Sequence, residues 1–152
     1  MDNCYTEIQE QQDLQKALNI AIKAHKGQLD KAGIDYINHP VYIALQMITA
    51  QEKMVALLHD VLEDSNLYTY EDLCNIFGYE ESVAESVLVL TRQKSETYFE
   101  YIQRIKIYGG IPVKVKIVDL KHNLNLSRLS EVTDKDLSRM KRYEKALKIL
   151  TT

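Results

Sequence analysis

Apolar residues in this chain recur every three to four positions almost from end to end, and few residues interrupt the pattern. Leu14, Leu18, Ala21 and Ile22 form one stripe, and Val41, Ala44, Leu45 and Ile48 a second. Met54, Val55, Leu58, Val61 and Leu62 form a third, Val83, Val87 and Leu90 a fourth, and Leu137, Met140, Ala146, Leu147 and Leu150 close the chain. That period is the mark of amphipathic helices. The five glycines and two prolines gather at 27–40 (GQLDKAGIDYINHP), 77–80 (FGYE) and 108–112 (YGGIP), with a further polar break around 64–69. Thr69 followed by Glu71 and Asp72 reads as a capped helix start with acids in its first turn. The expectation is an all-α chain of about seven to eight helices, one domain over 1–152, ending in a helix over 133–150.

One segment dissents. VKVKIV (113–118) alternates with period two, as a half-buried strand does. Read as a helix, Val113, Ile117, Leu120 and Leu124 make a narrow stripe. No second strand-like run exists to pair with it, and an orphan strand leaves its backbone groups unsatisfied. A helix reaching about Leu129 is therefore expected.

The composition, 45% hydrophobic and 27% charged over 152 residues, suits one soluble globular domain. Cys4 and Cys74 are far apart and give neither a disulfide framework nor a thiolate zinc site. The N-terminus MDNCYTEIQEQQ is too polar for a signal peptide, and no apolar run approaches the ~18 residues of a membrane span. A cytoplasmic protein without a membrane partner is expected. A net charge of −3 argues against nucleic acid as a general partner. Residues 54–91 hold eight acidic side chains and no Lys or Arg, whereas 92–128 hold eight Lys or Arg against three acids. Two solvated faces of opposite sign would look this way, and so would a metal-binding half meeting a cationic half around a phosphorylated small molecule.

The acidic half has a focus at ALLHDVLED (56–64). On one continuous helix, His59, Glu63, Asp60 and Asp64 fall at about 0°, 40°, 100° and 140°, opposite the apolar arc. No neighbouring side-chain cation in the sequence neutralises them, which points to a divalent metal. An acidic solvated face is the competing reading, because a like-charge i,i+4 pair costs only roughly 0.2–0.5 kcal/mol. An adjacent His-Asp pair offers the mixed imidazole and carboxylate set that suits Mn²⁺, Fe²⁺ or Zn²⁺. It cannot enclose an ion alone. His39 stands before Pro40, which biases it toward an extended conformation at a loop end. Asp119 is the only acid between Glu100 and Glu131. Taken singly, both read more readily as satisfied structural residues than as ligands. His25 and His122 complete the histidines.

H…HD…D in this order on a helical chain resembles the HD superfamily of metal-dependent phosphohydrolases. AHKGQLDKAGIDYINHP, ALLHDVLEDS, IFGYEESV…VLVLT and VKVKIVDLKHNL further resemble, in order, segments of the RelA/SpoT-type hydrolase domain, over about Ala17 to Leu129. That domain removes pyrophosphate from the 3′ position of guanosine tetra- and pentaphosphate, the nucleotides of the stringent response. The resemblance implies an HD-type bundle with His39, His59, Asp60 and Asp119 as ligands of one divalent ion. Mn²⁺ is the usual ion of the group, with Fe²⁺, Zn²⁺ and Mg²⁺ as alternatives. It implies that Glu63 and Asp64 activate or position the attacking water, that Asn123 contacts the nucleotide, and that Lys31 and Tyr36 border its pocket. Lys116, one turn before Asp119, is a candidate to balance charge on the phosphate.

Three positions depart from the family pattern. Asp30 replaces the arginine of GQxRKSG that stacks on guanine, Leu120 the arginine of DRxHN, and Asp35 the proline of PYIxHP. Asp30 could instead accept hydrogen bonds from a base edge. The leading function is therefore guanosine 3′,5′-bis(diphosphate) 3′-pyrophosphohydrolase. An HD-type nucleotidase or pyrophosphohydrolase on another nucleotide and a nucleotide-sensing module without turnover are the alternatives.

Overall fold

The computed structural model describes residues 2–79, 82–125 and 129–152, with the side chains of 2–5 left aside. In chain order the helices are α1 (Asp2–Ala24), α2 (Asn38–Leu45), α3 (Ala50–Leu58), α4 (Val61–Asp64), α5 (Tyr70–Phe77), α6 (Val83–Val89), α7 (Tyr98–Tyr108), α8 (Gly110–Asn123) and α9 (Asp134–Thr151). Eight exceed a single turn and α4 is one turn, which agrees with the all-α expectation of seven to eight. Extended pairing among the described residues is limited to one isolated bridge, Leu29 to Asp35.

α3 is the axis of the bundle. Met54 through Leu58 are all buried, and a helix apolar on every side must be enclosed on every side. α1, α2, α6 and α8 pack around it, while α9 lies across α7 and α8. Ala17, Ala21 and Ala24 of α1 are buried and small, so α1 approaches α3 closely. Helix starts are written in the sequence as Thr-x-x-acid. Thr49 with Glu52, Thr69 with Asp72, Thr97 with Glu100 and Thr133 with Asp136 each form a reciprocal capping box, worth about 1 kcal/mol apiece. Of the four, only Thr69 stands out in a first reading.

Several local expectations are corrected. The third stripe is not one helix: α3 stops at Leu58 and α4 starts at Val61. The His59 side chain causes the break, because its Nδ1–H donates to the Ala56 carbonyl at 2.6 Å and so competes with the continuing ladder. VKVKIV is helical within α8, as expected, but the helix ends at Asn123, not near Leu129; 126–128 lie outside the described residues. His39 is not extended. It lies in the first turn of α2, where the missing N–H of Pro40 costs nothing because first-turn amides lack helical partners. Ile22, Leu45, Ile48 and Leu137, assigned to stripes, are exposed; Ile20, Ile43 and Met47 take the buried positions instead.

Two features aim the site. Gly109 (φ 74) and Gly110 (φ 62) turn the chain from α7 into α8 through left-handed conformations that side chains resist. Arg104 of α7 donates to the carbonyls of Val89 at 2.9 Å and Thr91 at 3.0 Å, and pairs with Glu96 at 2.7 Å. It thereby fixes the 91–97 loop against the end of α6.

Candidate metal and nucleotide site

Four side chains from three elements converge beneath α2. His39 comes from the first turn of α2, His59 and Asp60 from the break between α3 and α4, and Asp119 from the C-terminal half of α8. Donor atoms of His39, His59 and Asp60 all lie within 4.8 Å of one another. Asp119 Oδ1 is 2.8 Å from His39 Nε2 and 3.7 Å from His59 Nε2. His39, His59 and Asp119 are buried.

The donor set fits a divalent cation. His59 Nδ1 is committed to the Ala56 carbonyl, so the neutral ring directs an Nε2 lone pair inward. That Nε2 is buried without a hydrogen-bond partner of good geometry, although Asp60 Oδ2 lies only 3.0 Å away. A buried nitrogen lone pair facing two carboxylates is satisfied by a cation or by a proton. Burial opposes charge on the His59 ring, yet Asp60 and Asp119 outweigh it and hold its pKa well above the ordinary value. Burial likewise opposes ionisation of Asp119, but Lys116, His39 and His59 hold it well below the usual carboxylate range.

Lys116 is part of this balance. Its ammonium pairs with Asp119 Oδ2 at 2.7 Å and lies 5.3 Å over the Tyr101 ring. The expectation that no side-chain cation meets the acidic cluster is thus corrected. The cation is absent from the local sequence but delivered by α8, which packs on α3. Lys116 pairs with Asp119 alone, and the Tyr36 hydroxyl and His59 are left to meet Asp60.

Glu63 and Asp64 lie on α4. The backbone N–H of Arg92 donates to Glu63 Oε1, so the loop fixed by Arg104 in turn holds this carboxylate. Gln28 donates to the Asp64 carbonyl at 2.8 Å and tethers α4 to the end of α1. Partial desolvation, then the charges of Asp60 and Glu63, raise the Asp64 carboxyl to about 6. Desolvation also raises Glu63, against the Arg92 amide. Both residues are solvent-exposed, whereas His39, His59 and Asp119 are buried.

A cavity of about 320 Å³ opens beside the His/Asp cluster, within the usual size of small-molecule pockets. Asp30, Lys31, Tyr36, His39 and Asn123 line it, whereas Lys116 does not. Two of the lining residues reach the His/Asp cluster directly. Asn123 donates to Asp119 Oδ1 at 3.1 Å, and the Tyr36 hydroxyl donates to Asp60 Oδ2. Asp30 shapes its own loop: its Oδ1 accepts from the amides of Ala32 at 2.8 Å and Ile34 at 3.0 Å. Gly33 between them needs φ +80.

No family model matches the chain. Among curated proteins, the bifunctional (p)ppGpp synthase/hydrolase SpoT of Escherichia coli (strain K12) is 35% identical over 127 residues, which cover 73% of this chain and 17% of that protein. The guanosine-3′,5′-bis(diphosphate) 3′-pyrophosphohydrolase of Haemophilus influenzae is 34% identical over 119 residues, 69% of this chain and 17% of that protein. The chain belongs to the RelA/SpoT hydrolase-domain family. It spans about a sixth of the length of these curated relatives. A solved metazoan ortholog of SpoT shares the fold, with a TM-score of 0.75 over 91% of this chain and 85% of that one, at 23% identity.

In this RelA/SpoT-type domain the far wall of the cavity belongs to α9, through Asp136, Arg139, Met140 and Tyr143. Sequence reasoning missed that wall. Its signal was the spacing, because Asp136, Arg139 and Tyr143 follow at i,i+3 and i+3,i+7 and so share a face; Arg139 indeed pairs with Asp136. Of the family departures, Leu120 is fully buried in the core, where a guanidinium would have no place. Asp35 closes the bridge to Leu29 and accepts from the Asn38 side chain at 3.0 Å.

Proposed function

We propose that this domain is a metal-dependent phosphohydrolase acting on a nucleotide polyphosphate, with guanosine 3′,5′-bis(diphosphate) as substrate and pyrophosphate released from its 3′ position. The observation that carries this reading is that His39 belongs both to the ligand set and to the cavity wall. A nucleotide held in the cavity thereby presents its phosphate to the ligand set. His39, His59, Asp60 and Asp119 would hold one divalent ion, which we take to be Mn²⁺. Bound there, the ion supplies Lewis-acid activation of water and of the phosphoryl group. Asp64 accepts the proton of the attacking water, and Glu63, fixed by the Arg92 amide, orients that water from the next position on α4. Asn123 and Tyr36 bracket the sugar-phosphate, Lys31 faces the nucleotide from the loop, and Lys116 keeps Asp119 ionised instead of meeting phosphate. The named activities of the curated relatives point to the same reaction.

The test is incubation of Mn²⁺-loaded protein with a panel of guanine and adenine nucleotides, products resolved by ion exchange. Pyrophosphate release chiefly from guanosine tetraphosphate supports the proposal. Turnover confined to another nucleotide supports the second reading, an HD-type hydrolase of different specificity. Tight binding with no product identifies a sensing module.

Asp30 decides how far that second reading extends. Its carboxylate holds the loop that carries Lys31 and Tyr36, so its task is architectural. Asp30→Asn keeps the acceptor and is expected to leave KM for every nucleotide unchanged. Asp30→Ala removes two hydrogen bonds, each worth about 1 kcal/mol, and should raise KM several-fold without changing the preferred base. A change of base preference in either variant would show that the side chain reads the base.

A further inference from the structure

His122 has no part in the site as built so far, yet it touches one of its members. α2 and α8 face each other with two rungs one helical turn apart. The inner rung is His39 against Asp119, at 2.8 Å. The outer rung is Tyr42 against His122, ring faces 4.1 Å apart and inclined by 18°. A diagonal joins the rungs: His39 Nδ1 lies 2.7 Å from His122 Nδ1. The two imidazole planes differ by only 17° and their centroids are 4.9 Å apart. That separation exceeds the N–N distance by about two ring radii, so the rings meet edge to edge, as an in-plane N–H···N bond requires.

We propose that His122 is a positioning residue that fixes the tautomer and orientation of His39 for metal binding. The inference rests on the reading of His39 as a ligand. His39 Nε2 lies 2.8 Å from Asp119 Oδ1, a donor's distance to a carboxylate; with Nε2 instead on a metal ion, Nδ1 would carry the ring proton and donate to His122 Nδ1. Histidine ligands commonly donate their second N–H to a carboxylate or carbonyl, and loss of that partner costs 10–100-fold in metal affinity. Here a second imidazole fills the role, and Tyr42, stacked on its face, holds the acceptor in the plane of His39.

Two substitutions separate hydrogen bonding from ring packing. His122→Asn loses the ring but can place an amide oxygen where Nδ1 was. His122→Phe keeps the ring on Tyr42 but offers no acceptor. The measurement is the Mn²⁺ dissociation constant by titration calorimetry, with melting temperatures in chelator to confirm folding. Expected is a roughly 10–100-fold loss for His122→Phe and near wild-type affinity for His122→Asn. The opposite order, equal losses, or no loss in either variant overturns the proposal. Independently of any variant, imidazole nitrogen spectra of the Zn²⁺-loaded protein should show His39 protonated at Nδ1, and an unprotonated Nδ1 also overturns it. Wild-type protein that binds no divalent ion refutes the metal reading itself and is recognised before any variant is made.

Discussion

Asp64→Asn will abolish most turnover while the protein stays folded and metal-loaded. A positioned acid or base contributes typically ~10²–10⁴-fold, and the expected fall in kcat lies in that range with KM little changed. The asparagine preserves shape and removes basicity. Asp64 is the better candidate of the acidic pair because Glu63 already accepts the Arg92 amide, whereas Asp64 has its carboxyl raised to about 6 by desolvation and the neighbouring charges of Asp60 and Glu63. A bound cation will lower that value, but a base near neutrality is what proton abstraction from water needs. Glu63→Gln, which can still accept from Arg92, should cost less than Asp64→Asn. Metal content by mass spectrometry accompanies the kinetics. If Asp64→Asn loses its metal, Asp64 is a ligand and the division between binding and chemistry is wrong.

The His/Asp cluster was legible in the sequence because it is a matter of residue type. Imidazole next to carboxylate has few uses on an oily helix, and the ordered match to H…HD…D named the partners. Their geometry was less legible. A uniform 100° per residue put His59, Asp60, Glu63 and Asp64 on one continuous helix face, yet His59 ends α3 by capping Ala56. The break lets His59 and Asp60 point at a common centre. Periodicity cannot report a side chain that competes for its own backbone. Lys116 was hidden for a different reason: charge was counted along the chain, and the neutralising ammonium comes from a helix more than fifty residues later. The α9 wall was hidden too, because Arg139 and Tyr143 look like any residues of an amphipathic helix until α9 is laid against the loop at 28–36. Helices were easier than stripes. The chain kept its helical starts at Thr-x-x-acid, but which of two apolar residues two positions apart faces inward, Ile43 or Leu45, depends on where α2 meets α3.

On the proposed reading Asp119→Ala will have two separable consequences, because Asp119 would be a metal ligand as well as a partner of Lys116 in the fold. Oδ1 meets His39 and Asn123, and Oδ2 meets Lys116. Both members of the ion pair are largely buried, with side-chain exposures of 6% for Asp119 and 12% for Lys116. Removing one partner of a buried pair strands the other charge and costs about 3–5 kcal/mol. In a domain of this size that lowers the melting temperature by on the order of 10 °C. Asp119→Ala should therefore melt early even in chelator and should also lose Mn²⁺ binding. The double variant Asp119→Leu with Lys116→Met replaces the pair with apolar groups of similar volume, and such replacements are often neutral or stabilising. It should recover most of the lost stability and none of the metal binding. Recovery of both would remove Asp119 from the ligand set, and recovery of neither would mean that Asp119 supports the fold through His39 and Asn123 more than through Lys116.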